Sequence, residues 1–207
     1  MLGHVVSRLA RRRTEADFVI ATSSLPQDDI VEAFCAENNV VCFRGSEDNV
    51  LDRYVRCARQ YSFAHVVRLT GDNPFPDVEE MDRLVSFHLK NGLQYSENIS
   101  VLPVGVGAEI IEIGALEASF QKSTLPKHFE HVNEYILDNL GRFRHGVCLV
   151  PKSKQRPDVR LTVDTPEDYR CICYIVAKAA GREITTELAI ALRQCFDAEA
   201  VMEEAKG

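Results

Sequence analysis

The chain has 207 residues and a net charge of −7, with 45% hydrophobic and 27% charged residues. This length and composition indicate one globular domain, residues 1–207, with a core of its own. The acidic balance argues against sequence-independent nucleic-acid binding, which needs many Lys and Arg contacts to phosphates. No apolar run approaches the ~20 residues of a membrane span, so we expect no membrane contact.

The first half of the chain alternates predicted helices and strands. Apolar spacing predicts helices over residues 4–13, 27–38, 46–61 and 77–91, and strands over 17–23, 40–43 and 65–69. We expect Ser46 and Asp77 to cap the third and fourth helices, with Glu80 assisting Asp77. The alternation predicts right-handed strand–helix–strand units, and therefore a mostly parallel sheet with helices on both faces.

The second half is less regular. Its predicted strands cover residues 94–98, 107–113, 143–150 and 159–163, and its predicted helices cover 116–121, 126–140, 166–180 and 185–204. The polar segment 151–158 (PKSKQRPD) is predicted to be a flexible connection.

The cysteines indicate a reducing compartment. Seven are present, at positions 35, 42, 57, 148, 171, 173 and 195, and none form a CxxC pair. An odd number without metal-ligand spacing argues against a disulfide framework or a zinc site. We therefore expect reduced cysteines in a cytoplasmic protein.

Two acidic motifs follow predicted strands: RLTGDNP at 68–74 and RLTVDTPED at 160–168. In open parallel sheets, ligands bind beyond the carboxyl ends of strands. Helix capping explains most of the acidic residues here, because Thr165 suits an N-cap position, Pro166 suits N1 and Asp168 suits N3. Asp72 and Asp164 are not needed as caps.

These two carboxylates are candidate ligands for Mg²⁺ or Mn²⁺. Magnesium prefers hard oxygen ligands and commonly takes one or two protein carboxylates, with water and substrate phosphates completing its shell. The alternative is that both aspartates only stabilise turns. Spacing alone does not decide between these readings.

The run FRGSEDNVLDRY at 43–54 closely resembles the spore-coat polysaccharide biosynthesis protein F family, which groups with the acylneuraminate and CMP-KDO cytidylyltransferases. Further matches follow in order along nearly the whole chain. They are RLTGDNP at 68–74, YSEN at 95–98, the segment with Pro103, Gly105 and Glu109, the run Glu130-His131-Val132, and RLTVDTPED at 160–168.

The resemblance implies a Rossmann-like nucleotidyltransferase fold, a three-layer sandwich, and Mg²⁺-dependent transfer of CMP from CTP to a sugar acid in polysaccharide biosynthesis. Asp72 and Asp164 would hold the metal and be catalytic. The candidate substrate-binding residues are Arg44, Ser46, Arg68, Glu109, Glu130 and His131, the first two facing the nucleotide and the last three the sugar. A homodimer is implied by resemblance only.

Several of these residues have an alternative explanation that involves no substrate binding. Arg44 could form a surface ion pair with Glu47 or Asp48. Glu130 and His131 could lie on an exposed helix face with no role in binding.

One family element is not matched. The family opens with a strand and a glycine- and arginine-containing phosphate loop, whereas the match here begins at the following helix, from Leu2. Relative to the family the domain is therefore expected to be N-terminally truncated, with a strand missing between the strands at 17–22 and 65–69. We expect those two strands to pair at best imperfectly, because their ladder groups lose a partner.

Three hypotheses follow for function. The first is a cytidylyltransferase, weakly active or inactive as the 207-residue chain. The second is a non-catalytic remnant that binds a sugar or a partner subunit. The third, another metal-dependent enzyme such as a glycosyltransferase, is disfavoured by the long FRGSEDNVLDRY match.

Overall fold

The computed structural model describes residues 1–204, with side chains described through Met202. The helices are α1 Leu2–Leu9, α2 Asp29–Glu37, α3 Val50–Gln60, α4 Val78–Lys90, α5 Ile113–Lys122, α6 Pro126–Glu130, α7 Glu134–Asp138, α8 Pro166–Ala179 and α9 Thr186–Glu204. The strands are β1 Val19–Ser23, β2 Val41–Gly45, β3 His65–Arg68, β4 Tyr95–Glu97, β5 Glu109–Glu112 and β6 His145–Val147. None of the helices in this range is both long enough and apolar enough to cross a bilayer.

The strands form two sheets. β1 and β2 pair in parallel, while the second sheet has the order β3-β5-β4-β6. β4 and β6 are parallel, but β5 runs antiparallel to both of its neighbours. The predicted α/β class is confirmed, and β5 departs from the predicted parallel pattern.

β1 and β3 are the two strands expected to lack a common neighbour. In residues 1–204, the ladder partner of β1 is β2 and that of β3 is β5, so the facing edges of β1 and β3 remain open. The prediction that these strands pair at best imperfectly is confirmed.

Local chemistry sets two helix starts as predicted. The Thr165 hydroxyl accepts the Asp168 N–H at 3.1 Å, and the Asp168 carboxylate accepts the Thr165 N–H at 2.9 Å, which completes a capping box. The Asp77 carboxylate accepts the Glu80 N–H at 3.1 Å at the start of α4. The predicted assistance from Glu80 is wrong, because the Asp77 N–H donates to the Val106 carbonyl at 3.0 Å and the Glu80 carboxylate contacts Lys154.

The predicted cap of α3 is wrong by three positions. Asn49 is the N-cap, and its side chain accepts the Asp52 N–H at 2.8 Å. The Ser46 hydroxyl instead accepts the Asn49 N–H at 3.1 Å, which closes a turn one step earlier. Either residue can supply the oxygen that a free helix N–H needs.

Two other predicted elements are also wrong. The predicted helix over 126–140 is interrupted at His131, whose backbone is extended, so that α6 and α7 are separate. The predicted strand over 159–163 forms only a single parallel bridge, between Arg160 and Val104, because its neighbour is a loop rather than a strand.

The core lies between helices and sheets in three clusters. One joins α8 and α9 to Phe75, Leu102 and Leu161, and another packs α3 and α5 around Ile111. The third places α1 and α4 against Ile110 of β5. These clusters bury the apolar stripe of each amphipathic helix.

Arg8 ties α1 to two distant segments. Its Nε donates to the Pro76 carbonyl at 2.9 Å, and its Nη1 donates to the Ile184 carbonyl at 2.8 Å. α1 ends at Leu9, so arginines 11–13 lie beyond the helix, and Arg11 pairs with Glu183 at 2.5 Å.

Candidate functional site

Three loops meet at the end of the second sheet, formed by residues 70–74, 103–107 and 159–165. The Val163 N–H donates to the Asp72 carbonyl at 3.0 Å, and the Leu161 N–H donates to the Val104 carbonyl at 2.8 Å. These main-chain bonds bring the two acidic motifs of the sequence side by side.

Gly105 allows this close approach. Its φ is +90°, and an added Cβ would lie 2.7 Å from the Thr162 nitrogen and 2.9 Å from Asn73 Oδ1. Only glycine adopts this conformation at this distance without strain. The position of the three loops therefore depends on the absence of a side chain here.

Two side-chain oxygens at this junction lack partners. Asp72 Oδ1 and Asn73 Oδ1 are buried, and neither has a hydrogen-bond donor within the described part of the chain. The other end of the Asn73 amide is fixed, since its Nδ2 donates to Thr70 Oγ1 at 2.6 Å. A buried unsatisfied oxygen costs ~1–3 kcal/mol, so a positively charged ligand would be stabilised here.

Asp164 lies on the neighbouring loop and is exposed. Its carboxylate pairs with the Arg160 guanidinium, whose Nε also lies 3.3 Å from Asp168 Oδ1. The Asp164 N–H donates to Asp168 Oδ2 at 3.2 Å. A metal ion that uses the Asp164 carboxylate must therefore displace or share it with Arg160.

The donor set suits a hard divalent cation. Two carboxylates and one amide oxygen, from Asp72, Asp164 and Asn73, are the ligand types that Mg²⁺ and Mn²⁺ prefer. The fit to a cation rests on the buried Asp72 and Asn73 oxygens that lack donors, and not only on the presence of acidic residues.

A second acidic cluster already contains its cation. The carboxylates of Asp77, Glu79 and Glu80 lie within 4.8 Å of one another. Among residues 1–202, this is the group in which three or more potential metal ligands lie this close together. Lys154 Nζ lies 2.9 Å from both Asp77 Oδ2 and Glu80 Oε1, and Thr186 donates to Asp77 Oδ2 at 2.5 Å. The cluster is therefore a buried salt-bridge network rather than an open metal site.

The titration behaviour of this network follows from its charges. Burial alone would lower the pKa of Lys154, but the bonds to Asp77 and Glu80 hold it above its ordinary value. Burial alone would raise the pKa of Asp77, but Thr186, the Glu80 N–H and Lys154 hold it below its ordinary value. Lys154 is 7% exposed, so the prediction of a flexible segment at 151–158 is wrong at this residue.

Arg68 and Glu109 are brought together across β3 and β5. Arg68 Nη1 donates to Glu109 Oε1 at 2.5 Å, and the Tyr95 hydroxyl donates to Glu109 Oε2 at 2.8 Å. Arg68 Nε is buried with no acceptor in the described chain. Burial raises the pKa of Tyr95, and Glu109 raises it further, so its hydroxyl stays protonated as a donor.

The Arg44 side chain is fixed by contacts to neighbouring segments. It donates to the main-chain carbonyls of Ser23, at the end of β1, and Leu25. It also donates to two carboxylates of α2, Asp29 at 2.9 Å and Glu32 at 2.6 Å. The ion pair considered with Glu47 or Asp48 is not the one formed. The guanidinium therefore braces α2 against β1 and β2.

The other predicted substrate residues lie on separate elements. Ser46 shapes the turn before α3, while Glu130 and His131 are exposed at the end of α6, which packs near α3. Among the described residues, no hydrogen bond links these three side chains to either carboxylate of the candidate metal pair.

The sequence reading missed His128, which lies next to these residues on α6. It is 4% exposed, its Nε2 lies 3.0 Å from Asp138 Oδ2, and its Nδ1 is buried without a described partner. No motif marks it, because its partner lies on a different helix.

Known structures identify the class to which this fold belongs, the nucleotidyltransferases. A cytidylyltransferase from Leptospira borgpetersenii serovar Hardjo-bovis superposes with a TM-score of 0.82 at 27% identity, over 97% of this chain and 84% of that chain. CMP-2-keto-3-deoxy-manno-octonic acid synthetase, complexed with CTP, gives a TM-score of 0.61 at 16% identity, over 86% and 87% of the two chains. The second likeness concerns the fold alone.

The family model for cytidylyltransferases matches residues 1–195, and the chain belongs to this family of nucleotidyltransferase enzymes. The spore coat polysaccharide biosynthesis protein SpsF of Bacillus subtilis (strain 168) is 35% identical over 184 residues, 88% of this chain and 76% of that protein. An uncharacterised protein of Methanocaldococcus jannaschii is 32% identical over 166 residues, 80% of this chain and 68% of that protein. The family predicted from the sequence motifs is confirmed.

Proposed function

We propose that this chain transfers CMP from CTP to a hydroxyl group of a sugar acid in glycan biosynthesis. The hydroxyl oxygen forms a bond to the α-phosphorus of CTP, pyrophosphate leaves, and the hydroxyl proton is released to solvent. The observation that carries the proposal is the pair of buried, unsatisfied oxygens of Asp72 and Asn73 where three loops meet in a cytidylyltransferase-family chain.

Asp72, Asn73 and Asp164 are the residues that would hold Mg²⁺ or Mn²⁺. Such an ion neutralises phosphate charge and orients the groups for in-line displacement. Within the chain, Gly105 fixes the distance between the Asp72 and Asp164 loops. Arg160, which pairs with Asp164, offers a guanidinium suited to phosphate oxygens.

The roles of the remaining candidates follow from their contacts. Arg68 Nε is an unused donor, and we assign the Arg68–Glu109 pair to substrate binding. Glu130 and His131 are the exposed candidates for the sugar side, and Ser46 is a candidate for the nucleotide side. Because the donors of Arg44 already have acceptors, we assign it to positioning the segment after β1.

Weak turnover by the 207-residue chain forms part of the proposal. A cavity of about 850 Å³ opens between β1 and β3, and its lining reaches Thr70 and Gly71, directly before Asp72. An unfilled space there leaves the Asp72 loop without support on one side. The same observation favours the second candidate function, in which the chain binds a sugar or a partner subunit without catalysis.

Metal binding tests the site independently of turnover. Mn²⁺ titration followed by electron paramagnetic resonance should show binding that Asp72→Asn weakens at least tenfold. Glu79→Gln, in the acidic cluster that Lys154 neutralises, is the matched control and should leave the affinity unchanged. Equal Mn²⁺ affinity for Asp72→Asn and the unchanged chain would refute the proposed ligand set.

Pyrophosphate release tests the reaction itself. The chain, CTP, Mg²⁺ and a panel of sugar acids should give slow release that Asp72→Asn abolishes. If Mn²⁺ and CTP bind but no sugar acid elicits pyrophosphate, the non-catalytic alternative is the better description. Sedimentation of the same samples tests the homodimer that we include in the proposal.

A further inference from the structure

The cavity between β1 and β3 lies at the open edges of the strands, not on one face of a sheet. Its lining includes the consecutive residues 18–22, which enter and run along β1, and the consecutive residues 64–67, which enter and run along β3. Successive strand residues point to opposite faces, so a cavity on one face would touch only alternate residues. A cavity that touches every residue lies in the plane of the sheets, beside the main chain.

The main-chain groups of β1 show which amides face this cavity. The Ser24 N–H donates to the Gly45 carbonyl of β2 at 2.8 Å. Successive amides of an extended strand point to opposite edges, so those of Thr22 and Ile20 also point toward β2. The amide of Ala21 therefore points into the cavity.

The same reasoning applies to β3. The Ile113 N–H donates to the Ala64 carbonyl at 2.9 Å, and Val66 pairs with Ile111 of β5. Alternation then directs the amides of Ala64 and Val66 toward β5 and that of Val67 into the cavity. Hydrogen-bonding groups from two strands thus face one empty slot.

The slot is largely apolar above and below, with His88 of α4 as a polar exception. Val5 and Leu9 of α1, with Met81 of α4, line one side, and Cys57 and Ala58 of α3 line the other. A strand with helices on both faces carries apolar residues in succession instead of alternating with polar ones. The slot therefore matches a segment that offers main-chain hydrogen bonds at its edges and apolar side chains on both faces.

We propose that this slot binds an extended polypeptide segment with a run of about five apolar, β-branched residues. The segment forms a strand between β1 and β3 and joins the two-stranded and four-stranded sheets into one of seven strands. β1 has five residues, and a strand of that length spans ~17 Å at ~3.3 Å per residue. Addition of a strand to an open sheet edge is an established mode of peptide recognition. The inference does not depend on the proposed CMP transfer.

The test uses the 207-residue protein and a synthetic, end-blocked peptide with the sequence Val-Ile-Val-Ile-Val between pairs of lysines. At saturating peptide, the Tm should rise by about 5–10 °C. The control peptide carries proline in place of both isoleucines, which removes ladder donors, and it should leave the Tm unchanged.

Amide exchange then distinguishes a strand from any other filler. The peptide should slow exchange at Ala21 and Val67 at least tenfold, with a smaller change at Ile20 and Val66, whose amides already face neighbouring strands. A rise in Tm without selective protection of Ala21 and Val67 means that apolar material fills the space without pairing, and overturns the proposal. An unchanged Tm overturns it as well.

A variant of β1 supplies a second check. Ala21→Pro removes the donor that faces the slot and keeps the amides that face β2, so the variant should fold but lose the response to the peptide. If it does not fold, the exchange pattern of the unchanged chain still decides. Protection of Ala21 and Val67 that appears without peptide and grows with protein concentration, together with dimer formation, would show that a second copy occupies the slot and would refute this occupant.

Discussion

The chain has two acidic regions that look alike in sequence and differ in their surroundings. Around Asp77 and Glu80, the carboxylates enclose the Lys154 ammonium, which lies 2.9 Å from each. Around Asp72 and Asn73, two buried oxygens have no described donor. The comparison teaches that a density of carboxylates does not by itself indicate a metal site, because a buried lysine can supply the compensating charge.

The largest expected effect is on the cluster around Asp77 and Glu80. Lys154→Met leaves the Asp77 and Glu80 carboxylates buried without a cation, and we expect the free energy of unfolding to fall by about 3–5 kcal/mol. Urea denaturation at pH 7 measures this, with the exposed Lys152→Met as control. A loss below about 1 kcal/mol would mean that the network is not a structural salt bridge.

Gly105→Ala should act on the loop junction around Asp72 and Asn73. The added methyl meets the Thr162 nitrogen at 2.7 Å in a backbone of φ +90°, and we expect a loss of about 2–3 kcal/mol. Because Asn73 Oδ1 lies 2.9 Å from the same methyl, Mn²⁺ affinity should also fall. Gly141→Ala, which meets no atom within 4 Å, is the matched control. If Gly105→Ala is destabilised but binds Mn²⁺ normally, the loop junction does not determine the metal affinity.

His88 lines the slot between β1 and β3, and we expect it to make the stability of the fold depend on pH. Burial, and then His65 at 3.1 Å, lower the pKa of His88 to about 4. The ordinary value is about 6.5, so the folded state resists protonation. Its contribution to stability is therefore complete above about pH 6.5 and is lost as the pH falls toward 4.

His88→Gln should remove on the order of 2 kcal/mol of this pH dependence between pH 7 and 4. Urea denaturation at several pH values measures the slope. His145→Gln, at an exposed position, should leave the slope unchanged. An identical slope for His88→Gln and the parent chain would assign the acid sensitivity to other groups.

The smallest expected effect concerns Arg160. This guanidinium pairs with the exposed Asp164 carboxylate, and exposed pairs contribute ~0–1 kcal/mol. Arg160→Gln should therefore raise Mn²⁺ affinity about threefold, since ~0.7 kcal/mol of competing attraction is removed. Arg156→Gln, which removes the pair with Asp158, should have no effect. Weaker Mn²⁺ binding in Arg160→Gln would show that the pair organises the site.

The sequence predicts best where a few neighbouring residues decide the outcome. Thr165, Pro166 and Asp168 complete one helix start among themselves, and their reading was confirmed at every position. The same local logic isolated Asp72 and Asp164 as candidate ligands, and the structure joins their loops through one main-chain bond. Whether they bind metal stays a prediction.

Prediction fails where a distant partner decides. Lys154 lies 74 residues from Glu80, and nothing in the polar run around it reveals that it is buried. The break at His131 is hidden for another reason, because the buried residues His128, Val132 and Ile136 keep helical spacing across it. At residues 159–163, a strand-like sequence lacks a strand to pair with.

The two bonds of Arg8 also bear on the order of events during synthesis. The carbonyl of Ile184 is made 176 residues after Arg8, a delay of about 10–35 s at ~5–20 residues per second. Until then Val5 and Leu9 of α1 can already pack against α4 and β5, but Arg8 lacks the second of its two acceptors. Released chains truncated just before residue 184 should therefore show α1 more open to protease than chains truncated just after it.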